Sequence, residues 1–145
     1  MISYAKKRLL KFERDGKFLF HGSPFLVEEL ILKQPFNSNK KDGNPCVSAT
    51  ELAEVAIFRA ITHEANFSGG GCDSSFGYIP GGRIYFTVTR ELLEQLNGKM
   101  GYVYVLPWKE CFRVSPIELR FEQNIRPIEV ITVSAEDLPN DIKVR

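Results

Sequence analysis

Phe18-Leu19-Phe20-His21-Gly22-Ser23-Pro24 runs three apolar residues straight into a polar corner. The pattern reads as a buried strand, Lys17 to Phe20, that delivers functional groups to the mouth of a cleft. Gly22 has no Cβ, so a ligand can approach its backbone closely. His21 and Ser23 offer side-chain donors and acceptors on either side of it. As a bare turn, the tripeptide would serve equally to cap a strand, and its meaning depends on what the rest of the chain brings to it.

The 145 residues are expected to form one domain, 1–145, large enough to bury about 68–70% of the surface the unfolded chain exposes. The composition, 43% hydrophobic and 26% charged, is that of an ordinary soluble globular protein. A net charge of +1 announces neither a nucleic-acid nor a membrane partner. No apolar run approaches the roughly 18 residues that a membrane span requires. The basic N-terminus lacks a following apolar segment, so no secretory signal is visible. Cys46, Cys72 and Cys111 are odd in number and contain no Cys-x-x-Cys pair. That argues against a disulfide scaffold or a zinc ribbon, leaves no metal site expected, and makes a reducing cytoplasm the default location.

Residues 1–16 are read as a basic N-terminal helix with Leu9, Leu10 and Phe12 as its apolar edge, ended by Asp15-Gly16. It suits either a contact with a nucleic acid or acidic partner or a solvated terminal helix packed by its few apolar residues. Residues 35–45 form a polar loop, Cys46 to Ala49 a short strand, and Thr50 an N-cap for a helix over Glu51 to Ile61. Six glycines between residues 66 and 82 suggest a mobile loop or lid, without the spacing of a phosphate-binding motif. Strands follow at Arg83 to Thr89, Gly101 to Leu106, Phe112 to Val114, Glu118 to Phe121 and Pro127 to Val133, with a short helix at Arg90 to Leu96. Helix early and strands late, without regular alternation, indicate an α+β fold.

Taken together these motifs resemble the ADP-ribosyltransferase fold, in its poly-ADP-ribose-polymerase-like and diphtheria-toxin-like branch (the His-Tyr-Glu type). His21-Gly22-Ser23 is similar to that branch's first motif, and Pro45-Cys46-Val47-Ser48-Ala49-Thr50 to its second. The third is a glutamate near a C-terminal strand hairpin. Glu118 and Glu122 both qualify, with Glu129 a distant third, and the position before Arg126-Pro127-Ile128 favours Glu122. Outside the triad the chain resembles small bacterial or phage members of the fold, over roughly residues 17–139. The resemblance implies split antiparallel β-sheets with flanking short helices.

It also implies NAD as substrate. Breaking the C–N glycosidic bond of NAD develops positive charge on the ribose, which a neighbouring carboxylate stabilises. In this reading Glu122 is that carboxylate, and His21 holds a ribose hydroxyl. Gly22 and Ser23 hold the nicotinamide amide, Val47 and Ser48 line the pocket, and Phe58 stacks on the ring. Val47 stands where the branch has tyrosine, and Arg120 where arginine-specific members have their polar partner, so arginine is not the expected acceptor. The expected activity is mono-ADP-ribosylation of a protein or nucleic acid, in a toxin or defence setting with a possible antitoxin or regulatory partner. Two other readings stay open. One is an RNA 2′-phosphotransferase, with Arg59, Arg83 and Arg126 as phosphate contacts. The other is an inactive NAD- or nucleic-acid-binding module on the same fold.

Overall fold

The computed structural model describes residues 2–145; Met1, at the start of the basic N-terminal segment, lies outside the described residues. In chain order the elements are α1 (Tyr4–Asp15), β1 (Phe18–Ser23), β2 (Phe36–Asn37), β3 (Lys40–Lys41), β4 (Val47–Ala49) and α2 (Ala53–Thr62). There follow β5 (Ser74–Ile79), β6 (Arg83–Val88), α3 (Arg90–Gln95), β7 (Met100–Pro107), β8 (Phe112–Ser115), β9 (Glu118–Phe121), β10 (Glu129–Ser134) and β11 (Lys143–Val144). The fold is α+β. Its sheets are antiparallel apart from β11, which pairs parallel with β6.

The centre is the three-stranded sheet β1-β7-β10. Val103, Tyr104, Val105 and Leu106 of β7 are all fully buried, which explains why β1 and β7 read as continuous apolar runs rather than alternating ones. Successive side chains enter opposite faces of the sheet. Phe20, Val103, Val105, Ile131 and Val133 pack under α2, while Leu19, Tyr104 and Leu106 meet Val47, Ala49, Leu119 and Phe121. A second sheet, β4-β9-β8, supplies that other layer. The two sheets touch along their edges through one bridge, Phe20 to Thr50. Beyond it they part.

The helices are fixed by local chemistry. Ser3 caps α1 by accepting from the Lys6 N–H at 3.1 Å, and Gly16 ends it at φ 70°. The basic residues of α1 are partly spent inside the molecule. Lys6 is buried near Glu54 at 3.9 Å, and Arg8 pairs with Glu129. α2 begins at Ala53, not at Glu51, and Thr50 is not its N-cap. Thr50 is committed to the bridge with Phe20, and the orphan N–H of Ala53 is taken instead by Glu13 of α1 at 2.7 Å.

Two expected loops carry structure. Residues 35–45 fold into the β2-β3 hairpin, turned by Ser38 and Asn39 at φ 52° and 68°. The glycine-rich segment is no open lid over its whole length: its second half is β5, fully paired with β6. Gly77 sits opposite Tyr85, whose ring occupies the space a Cβ would need, 2.5 Å from the hydroxyl oxygen.

Candidate active site

The site begins where the sheets part. Phe20 and Thr50 exchange both backbone bonds, at 2.8 and 2.9 Å. In an antiparallel ladder the peptide groups of residues i and i+2 point the same way. The N–H and C=O of Gly22 therefore point toward β4 as those of Phe20 do, but into the gap. His21 fills part of that gap. Its Nδ1–H donates to the Ser48 carbonyl at 2.6 Å, so Nε2 is left as an acceptor.

Glycine at position 22 answers to a different constraint from the one expected. A Cβ there would lie 1.9 Å from the Ala56 carbonyl oxygen of α2. The helix demands the glycine, and it is the unpaired edge of the strand, not the missing side chain, that leaves the Gly22 peptide groups open.

Glu118 supplies a carboxylate on the far side of the split. Its Oε2 accepts from Ser48 Oγ–H at 2.8 Å and from Arg120 Nε–H at 2.9 Å. Arg120 is itself 6% exposed and also donates to the Asp42 carbonyl at 2.7 Å and to Asp42 Oδ2 at 3.0 Å. Those acidic partners push its pKa well above the ordinary arginine value. His21, Gly22, Ser48, Arg59, Phe76 and Glu118 line one cavity of about 110 Å³. His21, Ser48 and Arg59 also border a larger one of about 390 Å³, walled by Phe25, Val27, Leu30, Lys33 and Val47.

Burial pulls the His21 pKa down to about 4, with Arg59 and Lys33 adding to the effect against the opposing Ser48 hydrogen bond. At neutral pH the imidazole is uncharged. Arg59 lies at the junction of the cavities, 3.4 Å from Ser48 Oγ and 5.7 Å from the Phe76 ring centroid. Its pKa is lowered by desolvation, countered by Glu118. Among the described residues no carboxylate lies within ion-pair distance of Arg59. A neutral acceptor, a carboxylate and a guanidinium with no carboxylate partner among the described residues thus converge on a partly apolar cleft, an arrangement suited to a polar, anionic ligand with hydroxyl groups.

The structure brings His21, Gly22, Ser23, Val47 and Ser48 to these two adjoining cavities. Glu122 is elsewhere. It is exposed, accepts from the Asn44 side chain at 3.0 Å, and borders a surface hollow with Glu110, Cys111 and Phe112. β9 ends at Phe121, so Glu122 is past the strand that carries Glu118 into the cleft. Phe58 is 1% exposed and packed on Phe86 at 4.9 Å. It is a core residue that lines neither of these two cavities, though it borders a separate one with Arg59 and Phe76, and Phe76 is the aromatic that lines the cavity beside Gly22. Of the three arginines expected around a phosphate, only Arg59 lines the cleft; Arg83 and Arg126 are exposed outside it. Glu129 is taken by Arg8.

Tyr104 escaped the sequence reading. Fully buried, it accepts from the Val27 N–H at 2.9 Å and donates to the Phe25 carbonyl, tying down the loop that walls the larger cavity. The signal was available, because a tyrosine inside a doubly buried strand must find polar partners. No protein-family model, curated protein or solved structure matches the chain.

Proposed function

We propose that this protein is an NAD-dependent mono-ADP-ribosyltransferase in which Glu118, rather than Glu122, is the catalytic carboxylate. The observation that supports it is the hydrogen-bonded chain His21–Ser48–Glu118 lying across the split beside the free peptide edge of Gly22. The Gly22 N–H and C=O match the carbonyl and amino group of a carboxamide. They hold the nicotinamide while the smaller cavity, with Phe76 and Val55 as apolar walls, takes its ring. His21 Nε2 accepts from a ribose hydroxyl.

As the glycosidic C–N bond breaks, its electron pair leaves with nicotinamide, and the ribose carbon becomes oxocarbenium-like. Glu118 stabilises that charge with the carboxylate oxygen not held by Ser48 and Arg120. The nucleophile of a protein or nucleic-acid acceptor then bonds to the same carbon, and its proton passes to water. Arg59 takes the diphosphate, for which a planar guanidinium is well matched. Val47 gives the larger cavity an apolar wall in place of a second aromatic ring. A toxin or defence role, with an antitoxin or regulatory partner, belongs to the same reading.

Arg59 also favours a second reading, transfer of an RNA 2′-phosphate to NAD. The test is to incubate the protein with NAD and follow released nicotinamide, without acceptor, with protein or nucleic-acid acceptors, and with 2′-phosphorylated RNA. Turnover is expected to fall by a factor on the order of 10²–10³ in Glu118→Gln, the scale of losing one preorganised charge-stabilising group. Glu122→Gln is expected to stay near the parent rate. Unchanged turnover in Glu118→Gln, or no turnover of NAD by the parent under any condition, overturns the proposal. Release that requires the phosphorylated RNA selects the second reading.

A further inference from the structure

Glu118 is held from behind, and the holder leads to a surface hairpin. Two donors, Ser48 Oγ–H and Arg120 Nε–H, converge on Oε2 alone. Two donors on one oxygen fix the rotation of a carboxylate and leave its second oxygen for the cleft. Arg120 has no freedom of its own, since its two remaining nitrogens are bonded to the carbonyl and carboxylate of Asp42. Asp42 follows β3 in the β2-β3 hairpin. That hairpin is closed by Asp42 N–H to the Pro35 carbonyl at 2.9 Å and by the Gln34 amide to the Gly43 carbonyl at 2.8 Å. Gly43, at φ 86°, brings its backbone against the guanidinium, where a Cβ would lie 3.2 Å from Nη1. Residues on the entry to the same hairpin, Lys33, Gln34 and Pro35, wall the larger cavity.

We infer that Arg120 is a positioning residue for Glu118 and that the hairpin of residues 34–44, acting through Asp42, sets the orientation of the carboxylate. The inference rests on the reading of Glu118 as the catalytic group. A ligand seated in the larger cavity touches the hairpin's root, so its binding and the placement of Glu118 are coupled through one chain of hydrogen bonds.

Asp42 is the informative position, because its side chain is 46% exposed and its removal leaves the core intact, whereas Arg120 is buried. Asp42→Ala is expected to lower kcat for nicotinamide release on the order of tenfold, as misplacement of a reacting group does. KM should change less than kcat, and the unfolding midpoint should fall by less than in Glu118→Gln, because the backbone carbonyl of residue 42 still accepts from Arg120. Arg120→Lys, which keeps the charge but not the fork, should lose more than Asp42→Ala and less than Arg120→Met.

A second readout needs no turnover. With 15N-labelled arginine, the Arg120 Nε–H resonance is expected to be protected from water exchange, to lose that protection in Glu118→Gln, and to weaken in Asp42→Ala. A resonance indifferent to both substitutions, or a parent-like kcat in Asp42→Ala, overturns the inference. If the parent releases no nicotinamide, the proposed function fails while the arginine resonance still decides the coupling.

Discussion

The two edges of β1 teach opposite lessons. Along one edge the strand is paired with β7 over its full length, from Phe18 to Ser23. Along the other its backbone is bridged once, from Phe20 to Thr50 just past β4, and then separates. Gly22 in β1 and Gly101 in β7 each leave room for a carbonyl of α2, at Ala56 and Ala60. Only Gly22, however, has its peptide groups facing a gap. What separates the two glycines is the missing neighbour strand beside Gly22, with His21, Ser48 and Glu118 arranged around the vacancy in the pairing.

The largest effect is expected from adding a methyl group under the helix. Gly22→Ala would place a Cβ 1.9 Å from a main-chain oxygen, and a backbone atom cannot swing aside as a side chain does. The expected destabilisation is at least about 3 kcal/mol, the upper range of overpacking, measured by urea unfolding. A parent-like midpoint would mean that α2 does not sit this close to the strand.

His21 gives the next effect, and it is one of pH. Its pKa in the folded protein, about 4, lies below the ordinary 6.5, so the unfolded state binds the proton more readily. The stability tied to the neutral imidazole is fully present above pH 6.5 and is lost as pH falls from there toward 4, by up to about 3 kcal/mol. His21→Asn, which keeps a donor for the Ser48 carbonyl, should therefore lose less stability than the parent between pH 7 and 4. An NMR titration of His21 with its midpoint near 6.5 would contradict the buried, neutral state.

On the closed edge Gly101→Ala should cost less than Gly22→Ala, about 1–3 kcal/mol, because its Cβ would lie 2.7 Å from the Ala60 oxygen. Equal losses at the two positions would erase the distinction in helix distance along the sheet.

Much of this arrangement was legible in the chain. The apolar run into His21-Gly22-Ser23 located a buried strand, although β1 continues through those three residues to Ser23 instead of turning at them, and Gly101 to Leu106 was legible as a strand, inside β7. What local patterns could not convey was which strands would be neighbours. The α2 N-terminus was expected to be capped by Thr50, its chain neighbour, but the cap comes from Glu13, forty residues away. Phe58 has the helical spacing of a pocket wall and of a core residue alike, and only the β5-β6 hairpin packed over it decides for the core. The glutamates show the same gap in information. Alternation places Glu118 and Glu122 on one side of an extended strand, and it is the end of β9 at Phe121 that separates them.

That separation yields the smallest expected effect. Glu122 is exposed and accepts one bond, from Asn44, an exposed residue at the root of the hairpin. Removing its charge by Glu122→Gln should change stability by no more than about 0.5 kcal/mol, as for surface substitutions generally. Glu118 accepts from a hydroxyl and from a guanidinium that is 6% exposed. Glu118→Gln keeps the volume but leaves Arg120 facing a neutral amide, so its loss on unfolding should exceed that of Glu122→Gln by more than 1 kcal/mol, on the scale of a charge-assisted hydrogen bond. Two like substitutions four residues apart then report on one cleft and one surface. Equal urea midpoints would mean that the Glu118–Arg120 contact is as solvated as the outer one, and that the carboxylate is not held in the cleft at all.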